Sequence, residues 1–239
     1  MTASRHSAME IPPFHKAETL DYVVLRDDFL TGGLTTTLIG ELGWTLADLG
    51  DGAPAVTHGA GEVNHPGFIT VGSGSTTPAA DDGFILQTVD TDPFILTSAS
   101  KGIYVAAIVR FPTDLTAKVF RFGLRDDATA AIPSSGVWFD FDQTVNAGVW
   151  AVGSTKATVG GLTATTSVVA AATWYKLEIV ADDTECQFYV DGVLVGSETT
   201  AANIPAVGLF PAFTGETDAG TTEEFFDIDA FMLRALVTR

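Results

Sequence analysis

The stretch Trp174-Tyr175-Lys176-Leu177-Glu178-Ile179-Val180-Ala181 alternates strictly, setting Tyr175, Leu177 and Ile179 on one face of an extended chain and Trp174, Lys176, Glu178 and Val180 on the other. It predicts a strand with one apolar face. Asp182-Asp183-Thr184 follows as a turn, and then come Cys186-Gln187-Phe188-Tyr189-Val190, Asp191-Gly192 and Val193-Leu194-Val195-Gly196-Ser197. Asp-Gly between two apolar runs predicts a tight hairpin, because both central positions of a type I′ turn require positive φ.

Working outward, the same short apolar or alternating runs recur as Tyr22-Val23-Val24-Leu25, Gly67-Phe68-Ile69-Thr70-Val71, Phe84-Ile85-Leu86-Gln87 and Phe94-Ile95-Leu96-Thr97. They continue over residues 103–111, 119–124, 137–141, 149–152, 207–213 and 225–233, mostly separated by Gly, Asp, Asn, Pro or Thr. The 24 glycines and the many threonines lower helix propensity throughout, so a helical fold is excluded; Thr45-Leu46-Ala47-Asp48-Leu49 is the one place where a single helical turn is expected. Residues 50–66 and 153–173 read as long small-residue loops, with Ser167-Val168-Val169-Ala170 the candidate for a concealed strand. Residues 1–20 show no sustained period and read as an extended arm. Residues 21–239 read as one domain, with no composition shift and no internal repeat.

The Trp-initiated strand, the apolar strand after it, Val190-Asp191-Gly192 and the next strand together resemble the concanavalin A-like (laminin-G-like) superfamily. Phe225-Phe226-Asp227-Ile228-Asp229-Ala230-Phe231-Met232-Leu233 is similar to that family's last strand. The opening Leu25-Arg26-Asp27-Asp28-Phe29-Leu30, followed by Gly43-Trp44, resembles the start of jelly rolls in tailed-bacteriophage structural proteins. The resemblance implies an all-β fold, a two-sheet antiparallel jelly-roll sandwich of the concanavalin A-like type with an extended N-terminal arm. Lectins, glycosidases, adhesins and virion proteins all use this fold, so it does not assign a function.

Composition narrows the partners. With 12 Lys+Arg against 30 Asp+Glu the formal net charge is −18, a field that repels nucleic acid. The first ten residues lack an apolar h-region and no run of about 18 apolar residues occurs, so neither a Sec-type signal nor a membrane span is expected. Cys186 is the lone cysteine; it forms no intrachain disulfide and reads as a core thiol.

Catalytic and metal chemistry find little material. A glycosidase needs two carboxylates flanking the scissile bond, supplied in family 16 by Glu-x-Asp-x-x-Glu, and this spacing does not occur. Asp140-Phe141-Asp142 and Asp227-Ile228-Asp229 put two carboxylates on one strand face, as any Asp-x-Asp in a strand does. Asp81-Asp82, Asp90-Thr91-Asp92, Asp126-Asp127 and Asp182-Asp183 have calcium-type oxygens, but Asp pairs also favour turns, so calcium is possible without being indicated. His6, His15, His58 and His65 lack zinc spacing and read as scattered surface residues. No Gly-x-Ser-x-Gly or Walker loop occurs. Trp44, Trp138, Trp150 and Trp174 lie in or beside strands, where core packing is expected ahead of stacking on sugars.

The resulting expectation is a non-enzymatic virion structural protein of a tailed bacteriophage, such as a capsid decoration (cement) protein on the outer surface of the virion, made in the host cytoplasm. It would need no cofactor and would dock on the major capsid protein through its arm, with Ile11, Pro12, Pro13 and Phe14 as partner-binding residues, and it would form a homo-oligomer. A carbohydrate-binding module or adhesin, on a tail fibre or cell surface, is the first alternative. A polysaccharide hydrolase or lyase is the second, and converging carboxylates on a concave sheet face would mark it.

Overall fold

The computed structural model describes residues 21–30, 33–36, 38–50, 52–74, 82–88, 94–96, 102–128, 132–217 and 223–237. Residues 1–20, with Ile11, Pro12, Pro13 and Phe14, lie outside the described residues. The elements are β1 (Asp21–Asp27), β2 (Gly33–Thr35), β3 (Leu38–Gly40), β4 (Thr45–Asp48), β5 (Ala55–His58), β6 (Ile69–Gly72), β7 (Asp82–Gln87), β8 (Phe94–Ile95) and β9 (Ile103–Arg110). They continue as β10 (Lys118–Arg125), β11 (Gly136–Asp142), β12 (Val149–Lys156), β13 (Val159–Val168), β14 (Trp174–Ala181), β15 (Cys186–Val190), β16 (Val193–Glu198), β17 (Gly208–Thr217) and β18 (Phe225–Val237). No helix occurs among the described residues.

The strands form two antiparallel sheets. The back sheet runs β16-β15-β14-β9-β18-β6-β5, with β1 beside the second half of β18. The front sheet runs β13-β12-β11-β10-β17-β7-β4, with β8 beside the start of β17. The jelly-roll sandwich expected from the sequence is the fold observed.

Alternation builds the core between the sheets. Phe120, Phe122 and Leu124 of β10 and Val137, Phe139 and Phe141 of β11 meet Val105, Ala107 and Val109 of β9 and Tyr175, Leu177 and Ile179 of β14 in one buried cluster. Each fully buried Leu, Val or Phe side chain contributes roughly 1.5–3 kcal/mol. Aromatic rings bridge the layers, with Trp44 edge-on to Phe231 at 4.8 Å and Phe111 against Phe141 at 4.8 Å, while Phe213 stacks on its front-sheet neighbour Phe122 at 4.9 Å.

The predicted Asp191-Gly192 turn has φ of 51° and 78°, as a type I′ turn needs. Three local readings are corrected. Residues 50–66 are not all loop, because they hold β5, which pairs with β6 from Ala55↔Gly72 to His58↔Ile69. Residues 153–173 are not a loop: they hold the end of β12 and the whole of β13, joined by a tight turn at Ala157 (φ 50°) and Thr158 (φ 68°). That turn has no glycine or asparagine to announce it. The Thr45–Leu49 segment is not a helical turn either, because β4 pairs with β7 in register from Thr45↔Gln87 to Asp48↔Phe84.

Candidate functional site on the outer face of the front sheet

The residues that alternate with the core positions face away from the sandwich. On β10 these are Val119, Arg121, Gly123 and Arg125, and on β11 they are Trp138, Asp140 and Asp142. The register aligns Ala212, Gly123, Trp138, Gly153 and Leu162 in one row across five strands, with Thr214, Arg121, Asp140, Ala151 and Ala164 in the next.

The small residues of the first row make room for the Trp138 ring. A Cβ on Gly153 would stand 2.5 Å from Cε2 of Trp138, and one on Gly123 would stand 2.6 Å from its Cα. Glycine at 153 therefore lets the indole lie across the sheet. A shallow pocket opens there, lined by Arg121, Gly123, Arg125, Pro133, Trp138, Ala212 and Thr214.

The charges of this face are paired and nearly buried. Arg121 sits between two carboxylates, with Nε 2.7 Å from Oδ1 of Asp140 and Nη1 donating to Oε1 of Glu216 at 2.6 Å. The Asp140 contact is an ion pair lying off the N–H direction, so it leaves Oδ1 without a well-aligned donor. Asn146 Nδ2 donates to the other oxygen of Asp140 at 2.7 Å. Burial raises the Asp140 carboxyl above its ordinary value, against the opposing pull of Arg121 and Asn146. Burial pushes the Arg125 guanidinium down to about 10, still charged at neutral pH, and its Nε donates to the Asp127 carbonyl at 2.5 Å.

Besides Nε of Arg121 and Oδ1 of Asp140, which meet as an ion pair, three buried polar atoms on this face have no hydrogen-bond partner: Nε1 of Trp138, Oγ1 of Thr214 and Oε1 of Gln87. Trp138 and Thr214 line the pocket, and Gln87 pairs with Ala212 in the register. An unmet buried polar group costs on the order of 1–3 kcal/mol, so three around one pocket mark a surface that gains from a hydrogen-bonding ligand.

The carboxylates of this face are tied to neighbours: one oxygen of Asp140 accepts from Asn146, the other lies in the ion pair with Arg121, and Glu216 is held by Arg121. Asp142 caps its own turn, accepting from the Thr144 and Val145 amides at 2.9 Å each.

The second Asp-x-Asp lies on the outer face of the back sheet. Asp227 accepts from Thr70 Oγ1 at 2.7 Å and from Nε and Nη2 of Arg110 at 2.9 and 2.7 Å, while Asp229, beyond a bulge in β18, bonds Nδ1 of His65 at 2.9 Å. Arg110 also grips Glu62 through two bonds from Nη1. Its guanidinium lies 4.4 Å above the Trp174 ring, on which His65 stacks at 4.2 Å. These contacts fasten the segment carrying Glu62 and His65 onto the sheet. His65 is therefore a structural residue and no loose surface histidine.

Of the four tryptophans expected in the core, Trp44 and Trp150 are there; Trp138 is buried on the outer front face and Trp174 is half-buried on the outer back face. The described calcium candidates are turn caps. Asp126 accepts from Ser134 Oγ and the Ser135 amide, and Asp182 from Thr184 and the Glu185 amide. Among the described residues no group of three or more His, Cys, Asp or Glu comes together to hold a metal ion. Arg121, Arg125, Thr214 and Glu216 escaped the sequence reading. Their signal was the period-two placing of Arg121 and Arg125 opposite Phe120, Phe122 and Leu124, in a chain with 12 basic residues.

Two packed antiparallel sheets with this connectivity define a concanavalin A-like jelly roll. More narrowly, the chain belongs to the SO2946-like family: the description of that family's C-terminal domain matches residues 64–229. The chain is similar to a solved protein of unknown function, SO2946 from Shewanella oneidensis MR-1, with 19% identity and a TM-score of 0.64 over 94% of this chain and 91% of that one. The Emp47p carbohydrate recognition domain is similar at 12% identity and a TM-score of 0.57, covering 90% of this chain and 95% of its own. A Bacillus licheniformis beta-glucanase is similar at 16% identity and a TM-score of 0.57, covering 90% and 98%. At these identities the likeness is one of fold alone. No curated protein matches the chain.

Proposed function

We propose that this chain is a non-catalytic carbohydrate-binding jelly roll that takes a sugar residue into the pocket beside Trp138. The observation that carries the reading is the set of unpartnered polar atoms there, Nε1 of Trp138, Oγ1 of Thr214 and Oε1 of Gln87, next to the guanidinium groups of Arg121 and Arg125. A sugar hydroxyl both donates and accepts, so one ring supplies what an indole N–H, a hydroxyl and an amide oxygen lack. The kinship of fold with a carbohydrate recognition domain and a beta-glucanase supports the same ligand class. The engagement of Asp140, Asp142 and Glu216 by neighbouring groups supports binding without hydrolysis.

The test is a glycan array on the full chain, with and without calcium, followed by titration of the best sugar. Trp138→Phe and Thr214→Val are expected to weaken binding at least tenfold without unfolding the chain. Absence of any glycan binding, or variants that bind as tightly as the parent, overturns the reading.

A second reading keeps the virion structural protein, a capsid decoration protein docked on the major capsid protein. It is favoured by one observation, the bare and uncharged edge of β13, which suits assembly. Cosedimentation of the chain with and without residues 1–20 against candidate particles tests it. Particle binding lost with the arm supports it, and no particle binding by the full chain removes it.

A further inference from the structure

The two sheets end very differently at their two sides. On one side the terminal strands are β4 and β5, four residues each. On the other, β13 runs for ten residues as Val159-Gly160-Gly161-Leu162-Thr163-Ala164-Thr165-Thr166-Ser167-Val168 and pairs, among the described residues, with β12 alone. Its outer row of backbone N–H and C=O groups faces no strand among the described residues. Soluble proteins blunt such an edge with shortness, Lys, Pro, an inward charge or a bulge. β13 holds no charged residue and no proline, in a chain of 30 acidic and 12 basic residues, and its one irregularity is a register shift against β12 between Val149 and Ala151.

Apolar surface accompanies the free edge. Val159, Leu162 and Val168 are exposed, and β16, the terminal strand of the back sheet in contact with β13, exposes Val193 and Leu194. Both sheets thus end on the same side in an apolar margin.

We propose that two copies of this chain pair β13 to β13, antiparallel, about a two-fold axis between the facing Ala164 residues, joining their front sheets into one. The centred register sets Gly160 against Val168 and Leu162 against Thr166 of the other copy, each pair on one face of the joined sheet. Charge selects a second copy as the occupant. Each chain carries −18, so copies repel wherever carboxylates meet, and β13 brings none to the seam. A charged strand from elsewhere finds no opposite charge there to favour it. Size is sufficient as well. Nine paired residues give a contact about 30 Å long, which at a width of about 24 Å comes to about 720 Å², inside the roughly 600–1,000 Å² per partner of a standard interface. The thickness of a two-sheet sandwich supplies that width. A two-fold pairing is closed, uses the same surface twice and leaves no β13 edge free.

Sedimentation of the full chain is expected to give a mass twice the 25.1 kDa of one chain. Thr163→Lys and Thr166→Lys, both at exposed positions on β13, are each expected to shift it to the monomer with unchanged thermal melting, because a lysine on the edge opposes strand addition. A double variant, Leu162→Cys with Thr166→Cys, is expected to cross-link two chains on oxidation and fixes the register. A parent chain that is monomeric at about 100 µM, a dimer that survives both lysine variants, or open-ended polymer in place of a dimer overturns the proposal. Sugar binding by the monomeric variants is expected to be unchanged, which separates this test from that of the pocket.

Discussion

The indole Nε1 of Trp44 donates to Oδ2 of Asp27 at 3.1 Å, so the segments Leu25 to Leu30 and Gly43-Trp44 are fastened to each other inside the fold. The same carboxylate accepts from the Phe29 amide at 2.9 Å and the Leu42 amide at 3.0 Å. Gly40, with φ of 67°, allows this closeness: a Cβ there would stand 2.2 Å from Oδ2 of Asp27. Asp27→Ala leaves three donors without their acceptor, each costing on the order of 1–3 kcal/mol. Urea denaturation is expected to show a loss of at least about 3 kcal/mol, and a loss under 1 kcal/mol would mean that water replaces the carboxylate.

Thr214→Val removes a buried hydroxyl that has no partner and keeps the shape of the side chain. Stability is expected to rise by about 0.5–1 kcal/mol, because no hydrogen bond is lost and a desolvation cost is relieved. Thermal melting should move upward by about 1–4 °C. A lower melting temperature would show that the hydroxyl has a partner after all.

Asp140 gives the outer face a pH signature. Its folded-state pKa is raised above the ordinary 3.8, chiefly by burial, so the folded chain holds this proton to higher pH than the unfolded chain does. The stability it contributes is full below about pH 3.8 and is lost as pH rises through the folded value. Comparing urea midpoints of the parent and Asp140→Asn from pH 3 to 7 should show the difference shifting in the variant's favour as pH rises, by at most about 1.4 kcal/mol per pH unit. A shift in the opposite sense would mean that Arg121 outweighs burial.

Cys186 is fully buried, and burial pushes its thiol up to about 12. The native chain is expected to be inert to a thiol-specific disulfide reagent at pH 8 and to titrate one thiol per chain in urea. Rapid labelling of the native chain would show that the strand pair β14–β15 opens.

Much of the fold was legible because it is written locally. The alternation of residues 174–181 and the Asp191-Gly192 turn each carry their own instruction, and β14, β15 and β16 follow in order. The hairpin of β12 and β13 was not legible, since Ala157 and Thr158 adopt positive φ without the residues that usually do so. The pocket was not legible for another reason. Arg121, Asp140 and Glu216 come from β10, β11 and β17, and β17 reaches β10 only through a crossover that no residue pattern announces. The Asp-x-Asp pairs were visible, but only the structure shows that their carboxylates are occupied.

The last strand, β18, lies inside the back sheet, with β9 along one side and β6 and β1 along the other. These residues leave the ribosome after every other strand of the sandwich. Until they emerge, β9 lacks one neighbour and β1 lacks its only one among the described residues, and Phe226, Ile228, Phe231 and Leu233 are missing from the core. The sandwich therefore closes only once this strand is out, through contacts between strands far apart in sequence. Folding of that kind is slow, and the nascent chain leaves its strand edges bare while it waits.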